Sequence, residues 1–104
     1  MIKQIAFRMK IKPGAEAEYK KRHDEIWPEL RDLLKDSGVV NYSIFLDRET
    51  STLFAVQEVT GESGSQDLGN TAIVQKWWAY MADIMDTHED HSPVSVPLEE
   101  VFRL

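Results

Sequence analysis

The period of the apolar residues changes from two to nearly four and back, then does so again, and this ordering constrains the fold more than any single residue. From Ile2 to Ile11, Ile5, Phe7, Met9 and Ile11 alternate with Ala6, Arg8 and Lys10, the period of a strand buried mainly on one face. Pro13-Gly14 ends it. From Ala15 to about Asp36, Ile26, Leu30, Leu33 and Leu34 fall on one helical stripe, with Lys20, Lys21, Arg22, Arg31 and Lys35 elsewhere. Pro28 lacks an N–H and disfavours helical geometry at Trp27, which predicts a kink or two abutting helices near residues 26–29. Ser37-Gly38 supplies the stop. Val39 to Leu46 and Thr52 to Val59 read as a hairpin that turns between Asp47 and Ser51. Gly61 to Gly69 is polar and glycine-rich, a plain loop. A second helix begins between Asp67 and Thr71 and runs to about Met85, with Ile73, Trp77, Tyr80, Met81 and Ile84 at helical spacing. A connector from His88 to Pro97 precedes a short closing strand over Val101 to Leu104, or from Leu98.

The order strand-helix-strand-strand-helix-strand predicts an α+β, ferredoxin-like sandwich, an antiparallel sheet with both helices on one face. The second strand is apolar at both parities: Val40, Tyr42, Ile44 and Leu46 fall on one side, Val39 and Phe45 on the other. A second copy of the chain is the simplest cover for the other face, so a homodimer is expected.

Composition narrows the chemistry. With 104 residues the chain is expected to be one domain, 1–104. The absence of cysteine removes disulfides, thiolate nucleophiles and cysteine-ligated metal centres. Lys+Arg 12 against Asp+Glu 18 leaves a net charge of -6, the wrong sign for a protein that works by neutralising phosphates, so neither nucleic acid nor an anionic membrane is an expected partner. No apolar run approaches the about 18–20 residues of a membrane span, and a cytoplasmic location is expected.

Tyr19, His23 and Trp27 stand at successive i, i+4 positions, so a continuous first helix would make them a polar-aromatic strip beside its leucine stripe. With an unperturbed pKa of ~6.5, His23 is the natural proton carrier near neutral pH; the alternative is a boundary histidine bonded to a neighbour. Trp77 and Trp78 diverge by ~100° on their helix, so one can be buried while the other lines a groove, unless both are core residues flanking one ridge. Asn41-Tyr42 adds an amide and a hydroxyl on the second strand. One histidine, two tyrosines and several tryptophans in an acidic domain suit a small, neutral, polyhydroxylated ligand better than a phosphate or an acid. His88-Glu89-Asp90-His91 contains metal-ligand types but sits in a proline-flanked connector, where a solvated acidic loop is the better reading. Gly61-Glu62-Ser63-Gly64 lacks the lysine of a phosphate loop.

Four blocks carry a family resemblance: H-D-E-I-W-P-E-L from His23 to Leu30 with Tyr19 before it, N-Y-S-I-F-L-D from Asn41, Q-K-W-W-A-Y-M from Gln75, and S-P-V-S-V-P-L-E-E-V-F from Ser92. In order and spanning nearly the whole chain, they resemble the L-rhamnose mutarotases. The resemblance implies a dimeric ferredoxin-like fold of the α/β-barrel type that interconverts the α and β anomers of L-rhamnose without metal or organic cofactor. It also implies that His23 is the proton donor and that Tyr19, Tyr42 and the Trp77-Trp78 pair contact the sugar. The chain departs from the family pattern in the glycine-rich stretch from Gly61 to Asn70 and at His88 and His91.

Anomer exchange breaks the C1–O5 bond, rotates the exposed aldehyde and recloses the ring. It needs a proton delivered to O5 and one removed from O1, so one acid and one base suffice. His23 is the expected acid at O5, switching role on reclosure, with the base left open among a water, a backbone carbonyl and a nearby carboxylate. Two rivals are a cofactor-free monooxygenase or lactone isomerase on the same architecture, and a non-catalytic sugar-binding module.

Overall fold

The computed structural model describes residues 2–61 and 64–104; Met1 and the Glu62-Ser63 part of the glycine-rich loop lie outside the described residues. The alternating start forms strand β1, Lys3–Lys10, with Phe7 and Met9 buried and Arg8 and Lys10 exposed, as a period of two requires.

The long helical stretch is split where proline forbids continuity. Helix α1 spans Glu16–Asp24 and helix α2 spans Pro28–Asp36. Pro28 opens α2, where an N–H would have no intrahelical partner, and Trp27 before it is extended at φ -60°, ψ 130°. The Trp27 carbonyl then accepts from the N–H groups of Leu30 and Arg31, each at 3.0 Å. The leucine stripe therefore belongs to α2, with Ile26 in the connector, while α1 buries only Tyr19. Its polar ends suit its dipole: Glu16 and Glu18 stand in the first turn, and Lys21, Arg22 and His23 in the last. Gly38, at φ +100°, turns the chain out of α2 in a conformation that L side chains resist, and a Cβ there would stand 2.6 Å from Thr60 Oγ1.

Strands β2, Val39–Asp47, and β3, Thr52–Val59, form the expected hairpin. Simple alternation fails at its open end. Val39 pairs with Val59 but Asn41 with Glu58, so Val40 is an extra residue, a bulge that returns Val39 to the core face and leaves Val40 half exposed. Val39 thus sides with Tyr42, Ile44 and Leu46, and Val40 leaves them, the reverse of the expected parity.

After a 3-10 turn at Ser65–Leu68, helix α3 runs from Ala72–Met81 and a second 3-10 turn continues it over Ala82–Ile84. The closing strand falls earlier than expected. Strand β4 is Val96–Pro97, paired antiparallel with β1 through Arg8 and Phe7, and residues 99–104 form no strand. Pro97 has no N–H to give to the ladder, so only the Leu98 N–H, bonded to the Ala6 carbonyl at 2.9 Å, extends the pairing. Val101, Phe102 and Leu104, strand-like in composition, are exposed.

The sheet is antiparallel in the order β2-β3-β1-β4. All three helices cover one face, where Tyr19, Leu30, Val74, Trp77 and Met81 pack on Phe7, Met9, Leu53 and Ala55. This is the ferredoxin-like arrangement, with three helices in place of two because of Pro28. The other face carries Phe45 directly opposite Phe54, the former 62% exposed.

Candidate active site

A polar helix needs an anchor other than apolar burial, and α1 has one in Arg22. Its guanidinium donates from Nε to Glu18, from Nη1 to the Tyr80 carbonyl and to Asp83 (each of these bonds is 2.8 Å), and from Nη2 to Asp83 at 3.2 Å. It also lies 4.4 Å from the Tyr80 ring centroid. The fork ties α1 to the end of α3 and holds the Asp83 carboxyl below the usual carboxylate range.

With α1 docked, His23 comes against α3. Its ring stacks on Tyr19 at 4.3 Å and meets Trp77 edge-on at 5.4 Å. Nδ1 lies 3.1 Å from the Tyr19 carbonyl oxygen. A carbonyl can only accept, so Nδ1 carries the hydrogen and Nε2 of the neutral ring keeps its lone pair. Burial lowers the His23 pKa below its ordinary 6.5, against smaller raising effects of the Tyr19 carbonyl and the Asp24 carboxylate. Near neutral pH the ring is therefore neutral.

Tyr19, His23, Tyr42, Trp77 and Trp78 all line one cavity of about 890 Å³ between the helices and the sheet. Trp77 is buried, and Trp78 is half-buried and seated on Gly69, where a Cβ would stand 2.6 Å from the ring. The divergence of adjacent helical residues thus separates a core tryptophan from a wall tryptophan. Trp27 does not join the lining. The break before Pro28 removes it from α1, so the expected strip stops at His23, and Trp27 packs behind the wall against Trp77 at 5.0 Å and Tyr80 at 5.5 Å. Burial pushes both tyrosine hydroxyls above their ordinary range, Tyr42 adding to the effect on Tyr19. Both stay protonated donors at neutral pH.

His88, Asp90 and His91 build a turn instead of a ligand set. The His88 N–H donates to the Ser92 carbonyl at 2.8 Å, and the Ser92 hydroxyl and N–H both donate to Asp90, which holds that carboxyl below its ordinary value. His91, at φ 70°, stands at the cavity rim. Among the described residues no three His, Asp or Glu side chains converge as metal ligands, and no helix is long and apolar enough to cross a membrane.

Three residues escaped the sequence reading. Arg22 was indistinguishable from a solvated charge, since its partner is 61 positions away. Gln57 did carry a signal, being the one polar residue at the inward parity of Leu53, Ala55 and Val59. Ser65 follows Gly64, in a stretch read as a plain loop, but it is buried beside Gln57.

A family model described as L-rhamnose mutarotase matches residues 4–104. The chain is 63% identical over 103 residues to an L-rhamnose mutarotase of Bacteroides thetaiotaomicron, covering 99% of each chain. It is 56% identical over 103 residues to one of Phocaeicola vulgatus, again 99% of each. The crystal structure of an L-rhamnose mutarotase from Formosa agariphila superposes with a TM-score of 0.89 at 56% identity, covering 98% of both chains. An antibiotic biosynthesis monooxygenase superposes with a TM-score of 0.59 at 13% identity, covering 97% of this chain and 99% of that one, a likeness of fold alone.

Proposed function

The chain belongs to the L-rhamnose mutarotase family and interconverts the anomers of L-rhamnose, and we propose that His23 carries the proton while Tyr19, Tyr42, Trp77 and Trp78 hold the sugar. The observation behind this reading is the 3.1 Å approach of His23 Nδ1 to the Tyr19 carbonyl oxygen, inside the cavity that all four other residues line. Neutral His23 takes the O1 proton at Nε2 as the C1–O5 bond breaks. The resulting imidazolium gives its proton to O5, and after rotation about C1–C2 the steps run in reverse on the other face of the aldehyde. The base left open by sequence is then His23 itself, since O1 and O5 are both bonded to C1 and lie within reach of one nitrogen. Tyr19 and Tyr42 donate to sugar oxygens, and the tryptophan faces take the C–H side and the 6-methyl group. The chemistry is complete with acid and base alone and calls for no metal or organic cofactor.

The pH profile of exchange, followed by saturation transfer between the anomeric NMR signals, tests this order. The active form is neutral and its pKa is lowered, so the rate holds at neutral pH and falls as pH drops through a midpoint below 6.5. A profile that rises toward acid would overturn the assignment of the neutral ring as the starting form.

The whole of 1–104 acts as one mutarotase domain in this reading, supported by a family match that runs from residue 4 to the last residue. It works in the cytoplasm as a homodimer whose protomers pack their open sheet faces together as an α/β barrel. Phe45 and Phe54 oppose each other on that face, next to half-buried Val56 and Ala6, an apolar surface that a second copy would cover. An obligate interface of this kind buries on the order of 2,000 Å² or more. Light scattering at micromolar concentration should give twice the chain mass and Phe45→Asp the single mass; a wild-type monomer would sink the dimer.

A further inference from the structure

Helix α1 carries His23 and has little apolar surface to hold it in place. Tyr19 is the residue it buries, and the break before Pro28 separates it from α2. Most of the residues read as sugar contacts sit on other elements, Trp77 and Trp78 on α3 and Tyr42 on β2. The His23 ring is oriented within its own helix, by the Tyr19 carbonyl and the Tyr19 ring. Local contacts of that kind move with the helix. Where the ring stands relative to the tryptophans is therefore decided by what fixes α1 on α3.

Arg22, the residue before His23, reaches across to α3. Its side chain keeps 10% of its exposure, so it is not a solvated surface charge, and a guanidinium so covered is costly unless its donors are matched. Nη1 donates to the Tyr80 carbonyl, in the last turn of α3, where a helix leaves carbonyls without intrahelical partners. Nη1 and Nη2 both donate to Asp83, a two-pronged contact that fixes direction as well as distance. The guanidinium lies over the Tyr80 ring, Tyr80 contacts Trp77, and Trp77 meets the His23 ring edge-on. These contacts close a circuit between two neighbouring residues of α1 and one turn of α3.

We propose that Arg22 and Asp83 are positioning residues that set the distance of His23 from the sugar held by α3 and β2. The proposal rests on the reading of His23 as the proton carrier. Proton transfer needs its two heavy atoms within hydrogen-bond reach, and a misplacement of about 1 Å costs on the order of a hundredfold in rate. Contacts through Tyr42 and the tryptophans survive a shift of α1. Loss of the clamp should therefore act on kcat more than on KM.

Anomer exchange with kcat and KM resolved, beside titration of the sugar bound per chain, tests it. Arg22→Met should bind one L-rhamnose per chain with KM within about threefold of the wild type and lower kcat by about tenfold or more. Arg22→Lys, which keeps the charge but not the fork, should restore part of that kcat. Asp83→Ala alters a side chain that is 65% exposed and leaves Arg22 its bonds to Glu18 and the Tyr80 carbonyl, so it should lower kcat by less. The His23 ring protons, which lie beside the Trp77 ring, should shift in the NMR spectrum of each variant that loses kcat. If Arg22→Met does not fold, Asp83→Ala and Arg22→Lys decide. Folded variants with wild-type kcat, or with kcat lost only in proportion to the sugar bound per chain, would make the clamp a structural tie and overturn the proposal while leaving His23 in the site. A His23→Asn protein with wild-type kcat would instead remove the proton carrier, and the proposal with it.

Discussion

His23→Asn is expected to fold, to bind L-rhamnose, and to exchange its anomers about a hundredfold or more slowly, the scale of losing a general acid and base. Asparagine keeps a donor that can reach the Tyr19 carbonyl, so α1 loses a ring stack but not its main anchor, which is Arg22 on Asp83 and Tyr80. What it lacks is a nitrogen that takes and returns a proton near neutral pH. Circular dichroism and sugar titration establish that the variant is folded and binds, and anomeric saturation transfer measures the loss. Wild-type exchange in a folded variant would make His23 a packing residue. The same substitution has a signature in stability. The folded-state pKa of His23 lies below the unfolded value of 6.5, so between those two values the unfolded chain holds more protons, and wild-type stability declines as pH falls through that window. His23→Asn should remove that part of the decline.

The two adjacent tryptophans should part company under substitution. Trp77 is buried and in ring contact with His23, Trp27 and Tyr80, so Trp77→Ala leaves a hole bordered by the whole aromatic cluster. The expected cost is about 3–5 kcal/mol, a large share of the about 5–15 kcal/mol that holds a domain of this size together. Thermal unfolding should fall by on the order of 15 °C or more. Trp78→Ala, at a half-buried wall position, should melt within a few degrees of the wild type and weaken rhamnose binding by about 1–3 kcal/mol, the scale of a recognition anchor. Its loss should also abolish part of the fluorescence change on sugar binding. The assignment of wall and core would be reversed by a Trp78→Ala protein that unfolds and a Trp77→Ala protein that merely binds poorly.

Sequence alone determined whatever depends on neighbours along the chain. The period of two in β1, the hairpin of β2 and β3, the stop at Gly38 and the break before Pro28 all follow from steric rules that act within a few residues. The order of the elements then limited the topology to the ferredoxin-like sandwich, and the spacing of His23 from Tyr19 placed one ring above the other. Motif blocks along the chain carried the family. Tertiary structure decided what depends on partners distant in sequence. The bulge at Val40 appears only when β2 is laid against β3, and it reverses the side of Val39. Trp27 leaves the site because the three-residue break between α1 and α2 sends it behind Trp77, a neighbour fifty positions on. Arg22 became an anchor only once Asp83 was beside it, and Gln57 a satisfied core amide only once Ser65 met it. Periodicity reports which face a side chain occupies. It carries no information about the opposite number across the interior, and a hydrogen bond or an ion pair is a property of both.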